Sequence, residues 1–225
     1  MPNSNPIANQ VATHVAAIPP SGIREFFELV QGRPDVISLG VGEPDFTTPW
    51  HIREATIYAL ERGKTSYTSN LGLLKLREAI SHYVAQYFGP VYRPDNEILI
   101  TVGVSEALDL SLRALINPGD EVIVVAPYWP SYYDMIKLCG GVPVVVPASA
   151  LKDLTPHITQ KTKWVLLNSP TNPSGAVLSK SLYKAIEKAL LKAPHVHVMS
   201  DEIYEHILFD GKTFVSFPEA CPDLK

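Results

Sequence analysis

Cysteine is scarce in this chain. Its 225 residues contain two, Cys139 and Cys221, which show neither CxxC spacing nor the number a disulfide framework needs. That excludes a disulfide-stapled scaffold and a thiolate metal knuckle; it suits a reducing, cytoplasmic setting with buried and inert thiols. Positive charge is not in excess either. A net charge of -4 and a pI near 6.0 leave no basic footprint for nucleic acid or anionic lipid. The opening MPNSNPIANQ has no basic stretch and no apolar core, and proline interrupts every apolar run before it could span a bilayer. Neither a signal peptide nor a membrane span is expected. Walker loops and GxGxxG are missing, which disfavours a nucleoside triphosphate or a dinucleotide. His195 and His197 alternate in HVH as two ligands on one strand face could, but no third ligand follows at a suitable spacing, so no metal site is expected.

With 46% hydrophobic residues the chain can bury a full core, as one large domain or one with a fragment of another. Residues 1–35 are polar and proline-punctuated, with an amphipathic piece at 23–30, and have the look of an arm. VISLGVGEPDFTTP then supplies a short strand at 36–39 and a turn whose glycines, Gly40 and Gly42, leave backbone bare for a ligand or simply shape a tight turn. Thr48 and Pro49 read as the cap and first-turn proline of a helix with Ile52, Thr56, Ala59 and Leu60 on its packing face, ended by Gly63. A polar loop with Tyr67 at its centre and a second helix over 73–88 follow.

From residue 97 onward the runs ILITV, EVIVVAP, VPVVVPA, KWVLLNSP and VHVMSDE alternate with segments of helical period. This alternation predicts an α/β fold, a mostly parallel sheet with helices on both faces, because strands covered on both sides are rich in Val, Ile and Leu. Ligands of such sheets sit outside the carboxyl ends of the strands, and four of those ends carry polar or aromatic groups. After ILITV, the turn and helix start at Gly103, Val104, Ser105 and Glu106 can hold an anion on free amides and the helix dipole. Leu108, Leu112 and Leu115 mark the inner face of that helix, and NPGD stops it. APYWPSYY places Tyr128, Trp129, Tyr132 and Tyr133 beyond a strand, as a stacking plate for a flat ring or as ordinary core. NSPTNPSG carries Asn168 and Asn172, which can fix a ring oxygen or shape the turn. Ser179 then caps a helix with Leu182, Ala185, Ile186, Ala189 and Leu190 inward. VMSDEIY ends in Asp201 and Tyr204. A carboxylate at a buried strand end needs a cation, a metal or a hydrogen-bonded ring nitrogen to balance it, unless it merely caps a turn or pairs with a lysine.

In combination, IPPSGIREFF, SLGVGEPDFTTP, GKTSY, APYW, NSPTNPSG and SDEIYEH resemble the class I/II pyridoxal phosphate (PLP) aminotransferases of fold type I, especially the bacterial aspartate and related aminotransferases. The resemblance implies residues 1–47 as an arm with a segment of the small domain and 48–225 as the PLP-binding large domain, incomplete at its carboxyl end. It further implies that Asp201 faces the pyridine nitrogen, that Tyr204 and Asn172 meet the ring oxygen, and that Trp129 stacks on the ring. Gly103, Val104, Ser105 and Glu106 would cradle the phosphate, Tyr67 would reach a phosphate across a homodimer interface, and backbone at Gly42 would meet the substrate carboxylate. Amino acids and 2-oxo acids are the implied substrates. Cis bonds are expected at Ala126 to Pro127 and at Asn172 to Pro173.

Transamination also needs a lysine that bonds the cofactor and shuttles a proton. The SxSK-type segment that carries it in relatives does not occur here; Lys225 and Lys180 stand in other contexts. The expectation is therefore an amino-terminal portion of an aminotransferase that is inactive alone. A PLP-dependent lyase on the same scaffold and a non-catalytic PLP-binding fragment are the alternatives.

Overall fold

Four of the five apolar runs become strands of one parallel sheet: β1 (Glu121–Ala126), β2 (Val142–Pro147), β3 (Thr162–Asn168) and β4 (His197–Asp201), in the order β2-β1-β3-β4. The structure is a computed structural model and describes residues 10–20, 29, 33, 35–37, 40, 42 and 45–224. The chain divides into two compact units, Met1–Thr68 and Ser69–Lys225.

In the second unit the helices are α3 (Leu74–Phe88), α4 (Gly103–Leu115), α5 (Ser131–Leu138), α6 (Lys180–Leu190) and the short α7 (Phe217–Ala220). Strand alternation sorts them onto two faces. Val122, Val124 and Leu166 point to one side and pack with Leu108 and Leu112 of α4 and Tyr132 and Ile136 of α5. Ile123, Val165 and Leu167 point to the other and meet Ile186 and Leu190 of α6 and Phe217 of α7. Ser179 caps α6 by accepting from Leu182 N at 3.3 Å, as its position predicts. The sequence pattern had overlooked Tyr183 and Glu187, which are also buried on the inner face of α6.

Because β1 runs to β2 on one side and β3 lies on the other, the chain reverses its winding between β1 and β3. Parallel sheets open a crevice outside the carboxyl ends at such a switch point. A cavity of about 60 Å³ lies there, lined among others by Ala126, Pro127, Tyr132, Asn168 and Thr171.

The remaining run, ILITV, is not a strand: residues 98–101 carry no ladder, and their backbone bonds are Ile100 N to Leu71 O at 3.0 Å and Gly103 N to Thr101 O at 2.9 Å. A strand exists only through its partner, and among the described residues none lies alongside. Leu99 and Val102 are exposed as a result. Leu115 is likewise exposed, while Ile116, just past the helix end, takes the inward place.

In the first unit, α1 (Thr13–Ala16) and α2 (Trp50–Glu61) are the described helices. Pro49 rather than Thr48 occupies the N-cap of α2, and no side chain caps it. The expected packing face is open, with Ile52 and Leu60 about half exposed, since no described residue of this unit is buried. Val36 and Ile37 are not in a strand; Ser38 and Leu39 lie outside the described residues, as do nearly all of 23–30 and Lys225.

The second unit leaves β4 as an edge strand, with Ile207 and Phe209 exposed beyond it. Unpaired strand edges beside apolar surface template association. The isolated chain is expected to self-associate at micromolar concentration in light scattering; a monodisperse monomer with one sharp melting transition would contradict this.

Candidate functional site

Asp201 is the last residue of β4, and the alternation that sends Met199 towards α4 and α5 sends its carboxylate the same way. It is 7% exposed. A carboxylate that deep requires donors, and two are present. Tyr132 Oη of α5 donates to Oδ2 at 2.5 Å and Ile203 N donates to Oδ1 at 3.2 Å. Burial, followed by this bond to Asp201, holds the Tyr132 phenol far above its ordinary pKa, so it stays a donor at every working pH. No lysine pairs with Asp201 among the described residues, whereas the bond from Ile203 N, two residues on, is the turn cap that the sequence also offered as its structural role.

Beside it in the register, Asn168 ends β3 on the same face. Its Nδ2 donates to the Asp201 carbonyl at 3.0 Å and its Oδ1 accepts from Asn172 N at 2.7 Å, so Asn168 shapes the turn. Asn172 Nδ2 is left pointing at Tyr204 Oη, 3.4 Å away. An amide and a phenol thus converge from two different loops. The peptide bonds Ala126–Pro127 and Asn172–Pro173 are cis, as expected, and Ser169–Pro170 is cis as well.

Trp129 stands at the carboxyl end of β1, its indole edge-on to Tyr132 with ring centres 5.4 Å apart. Trp129 and Val104 pack against the same core cluster that contains Tyr132. Gly103 opens α4 with φ +76, a left-handed backbone that glycine alone adopts freely, and a Cβ there would meet open space. Behind it the amides of Val104 and Ser105, in the first turn, have no carbonyl one turn earlier in the helix to accept from them, while Glu106 N is the first that reaches back to the N-cap residue Val102. The Glu106 carboxylate turns back and accepts from Val102 N instead of reaching outward. The two remaining candidates belong to the other unit: Tyr67 is fully exposed and Gly42 has nothing within 4 Å of a built Cβ.

On the opposite face Glu202 is half-buried. Burial pushes its carboxyl above the usual range despite bonds from Phe217 N at 2.7 Å and Ser200 Oγ at 2.8 Å. The folded state therefore holds this proton more tightly than the unfolded chain. Stability falls as pH rises from the ordinary glutamate value through the raised one. Glu202→Gln is expected to flatten that part of a melting temperature against pH curve.

The paired histidines do not form a strand face, since β4 begins at His197. His195 Nε2 instead meets Thr159 O at 3.0 Å and His197 lies against Trp164. Among the described residues no group of acidic, histidine or cysteine side chains could hold a metal, and no helix is long and apolar enough to cross a membrane. Cys221 is buried and donates to Tyr183 O; Cys139 is only half-buried.

Residues 34–224 match the family model for aminotransferase class I and II. The chain belongs to this family. Aminotransferases of this class depend on pyridoxal 5'-phosphate. The chain is 45% identical over 226 residues to YugH of Bacillus subtilis (strain 168), whose name describes an aminotransferase, covering 97% of this chain and 58% of that protein. It is 42% identical over 202 residues to an aspartate aminotransferase of Rhizobium meliloti (strain 1021), covering 87% and 49%. The crystal structure of the aspartate aminotransferase from Rhizobium meliloti superposes with a TM-score of 0.89 at 39% identity, over 96% of this chain and 56% of that one. The chain therefore spans about half the length of the relatives it matches.

The donor set fits the family's cofactor. A phosphorylated pyridine offers an anion, a flat ring, a phenolic oxygen and a basic nitrogen; the unit offers a helix start, an indole, an amide with a phenol, and a buried carboxylate. Sequence reading overlooked Tyr132 as a partner of Asp201. The available signal was its position in the first turn of a helix whose next inward residue is Ile136, which turns it onto the sheet rather than out to the ligand.

Proposed function

We propose that this chain is the amino-terminal portion of a PLP-dependent aminotransferase of aspartate type, acting on amino acids and 2-oxo acids, and that by itself it binds the cofactor without turnover. The observation that carries the reading is that Asp201 and the Asn172–Tyr204 pair stand together at the carboxyl ends of β3 and β4, joined through Asn168. Bound there, the cofactor would supply an electron sink for the substrate's α-carbon. Asp201 would keep a proton on the pyridine nitrogen. Tyr204 and Asn172 would orient the ring oxygen, Trp129 would cover one ring face and exclude water, and Gly103, Val104, Ser105 and Glu106 would seat the phosphate at the start of α4. On the same reading residues 1–47 form an arm and a segment of a small domain, 48–225 form the large domain, Gly42 meets the substrate carboxylate, and Tyr67 serves a partner subunit in a cytoplasmic homodimer.

No SxSK-type segment occurs within the 225 residues, so no lysine of that context is available to move the α-proton. Titrating the chain with PLP while following absorbance and tryptophan fluorescence is expected to show saturable binding. Incubating it with PLP, aspartate and 2-oxoglutarate is expected to yield no oxaloacetate. Oxo-acid formation by this chain alone would refute the second half of the proposal, and absence of saturable binding the first.

A further inference from the structure

The segment that carries Tyr204 is pinned from a side remote from the ring-oxygen pair. Tyr83, on α3, donates its hydroxyl proton to Glu205 Oε1 at 2.6 Å, and His206 Nε2 lies 2.9 Å from the same hydroxyl oxygen. With the phenol proton committed to Glu205, the imidazole N–H donates to the phenol oxygen. One hydroxyl therefore grips two consecutive residues immediately after Tyr204. At the other end of the turn Glu202 is held by Phe217 N and Ser200 Oγ, and within it Glu205 N bonds Glu202 O at 3.1 Å and Ile207 N bonds Tyr204 O at 2.8 Å.

The anchor stands on firm ground. Arg77 and Ser81 of α3 are buried, Arg77 bonding Gly72 O and Pro94 O, and Ser81 bonding Tyr92 O at 2.5 Å. The Tyr83 ring is wedged by Tyr87 at 4.8 Å and Phe88 at 5.8 Å, and Phe88 in turn meets Phe214. The charged and titratable groups around the hydroxyl are Glu205, His206, Tyr87 and, through Glu205, Glu202. The bond to Glu205, first, and burial, second, hold the Tyr83 phenol up to about 12, so it donates throughout the neutral range.

We propose that Tyr83 is a positioning residue for Tyr204: through Glu205 and His206 it fixes the turn so that the Tyr204 phenol stands opposite the Asn172 amide. The geometry is independent of the functional reading, while the consequence for cofactor binding rests on it. A phenol that must meet a ring oxygen within about 3 Å loses its alignment when its segment slides by a fraction of that distance.

The test uses the 225-residue chain with Tyr83→Phe, Tyr204→Phe, the double variant, and Tyr87→Phe as a control that alters an exposed hydroxyl in the same aromatic cluster. Without cofactor, amide exchange at Glu205 and Ile207 is expected to quicken about three- to tenfold in Tyr83→Phe, the worth of one hydrogen bond, and to stay unchanged in Tyr87→Phe. PLP affinity is expected to fall by a similar factor in Tyr83→Phe, and the double variant is expected to bind no more weakly than Tyr204→Phe alone. Should Tyr83→Phe lower the melting temperature broadly, Glu205→Ala, which leaves α3 intact, is expected to give the same exchange pattern. Unchanged exchange in both, or strictly additive losses of affinity, would overturn the proposal. If the unaltered chain binds no PLP, the functional reading fails while the exchange result still decides the anchor.

Discussion

Replacing Asp201 with asparagine is expected to weaken PLP binding by about ten- to a thousandfold. An opposite charge beside a titrating nitrogen is worth about one to three pKa units, each about 1.4 kcal/mol, and asparagine offers no charge. The substitution is nearly isosteric, and its side-chain oxygen can still accept from Tyr132 or from Ile203 N. The fold is therefore expected to survive, with a melting temperature within a few degrees of the parent. Equilibrium titration with PLP next to a thermal melt separates the two effects. A chain that folds normally and binds PLP as well as the parent would show that Asp201 does not face the cofactor.

The second large effect lies away from the site. Gly72 → Ala is expected to destabilise the second unit by about 2–5 kcal/mol, the sum of a left-handed backbone and an overpacked contact. Gly72 has φ +93, and a Cβ built on it falls 2.4 Å from Ile100 Cγ1 and 2.5 Å from Ile100 Cβ. Neither can be relieved by rotating a side chain end, since the Ile100 Cβ is itself part of the overlap. The contact also fastens residue 100 through its bond to Leu71 O, and the Gly72 carbonyl accepts from buried Arg77. Denaturant unfolding should show the midpoint falling without a change in slope. A variant as stable as the parent would mean that the segment around Ile100 moves freely from Gly72.

Both predictions concern residues whose identity the sequence supplied but whose partners it did not. VHVM followed by Asp201 and NSPTNPSG were legible as strand ends because a buried parallel strand is written as an uninterrupted apolar run and its exit as turn formers. Residues 98–102 share that signature, yet no described strand lies beside them, and apolar patterning records a residue's preference for burial rather than the presence of a neighbour to bury it. The same limit explains α2, whose amphipathic spacing is real while its inward face finds no core in its own unit. The sequence offers Tyr132 as one of four aromatics in a stacking plate or in ordinary core, and it belongs to the core. Helical phase placed it a turn before Ile136, facing the sheet, and only the pairing of β3 with β4 carried Asp201 to it.

The order of apolar runs and turn formers along the chain was enough to determine the α/β class, and the combined motifs carried the resemblance to the family, which in turn implied the cis bonds after Ala126 and Asn172. Which hydroxyl holds Asp201, which asparagine shapes its turn and which faces Tyr204, and what anchors the segment beyond were decided by the tertiary structure alone. Those contacts join residues separated by 69, 33, 32 and 122 positions. Hydrogen bonds act over about 3 Å, so only the packing that brings distant strands and helices within that reach can assign the partners.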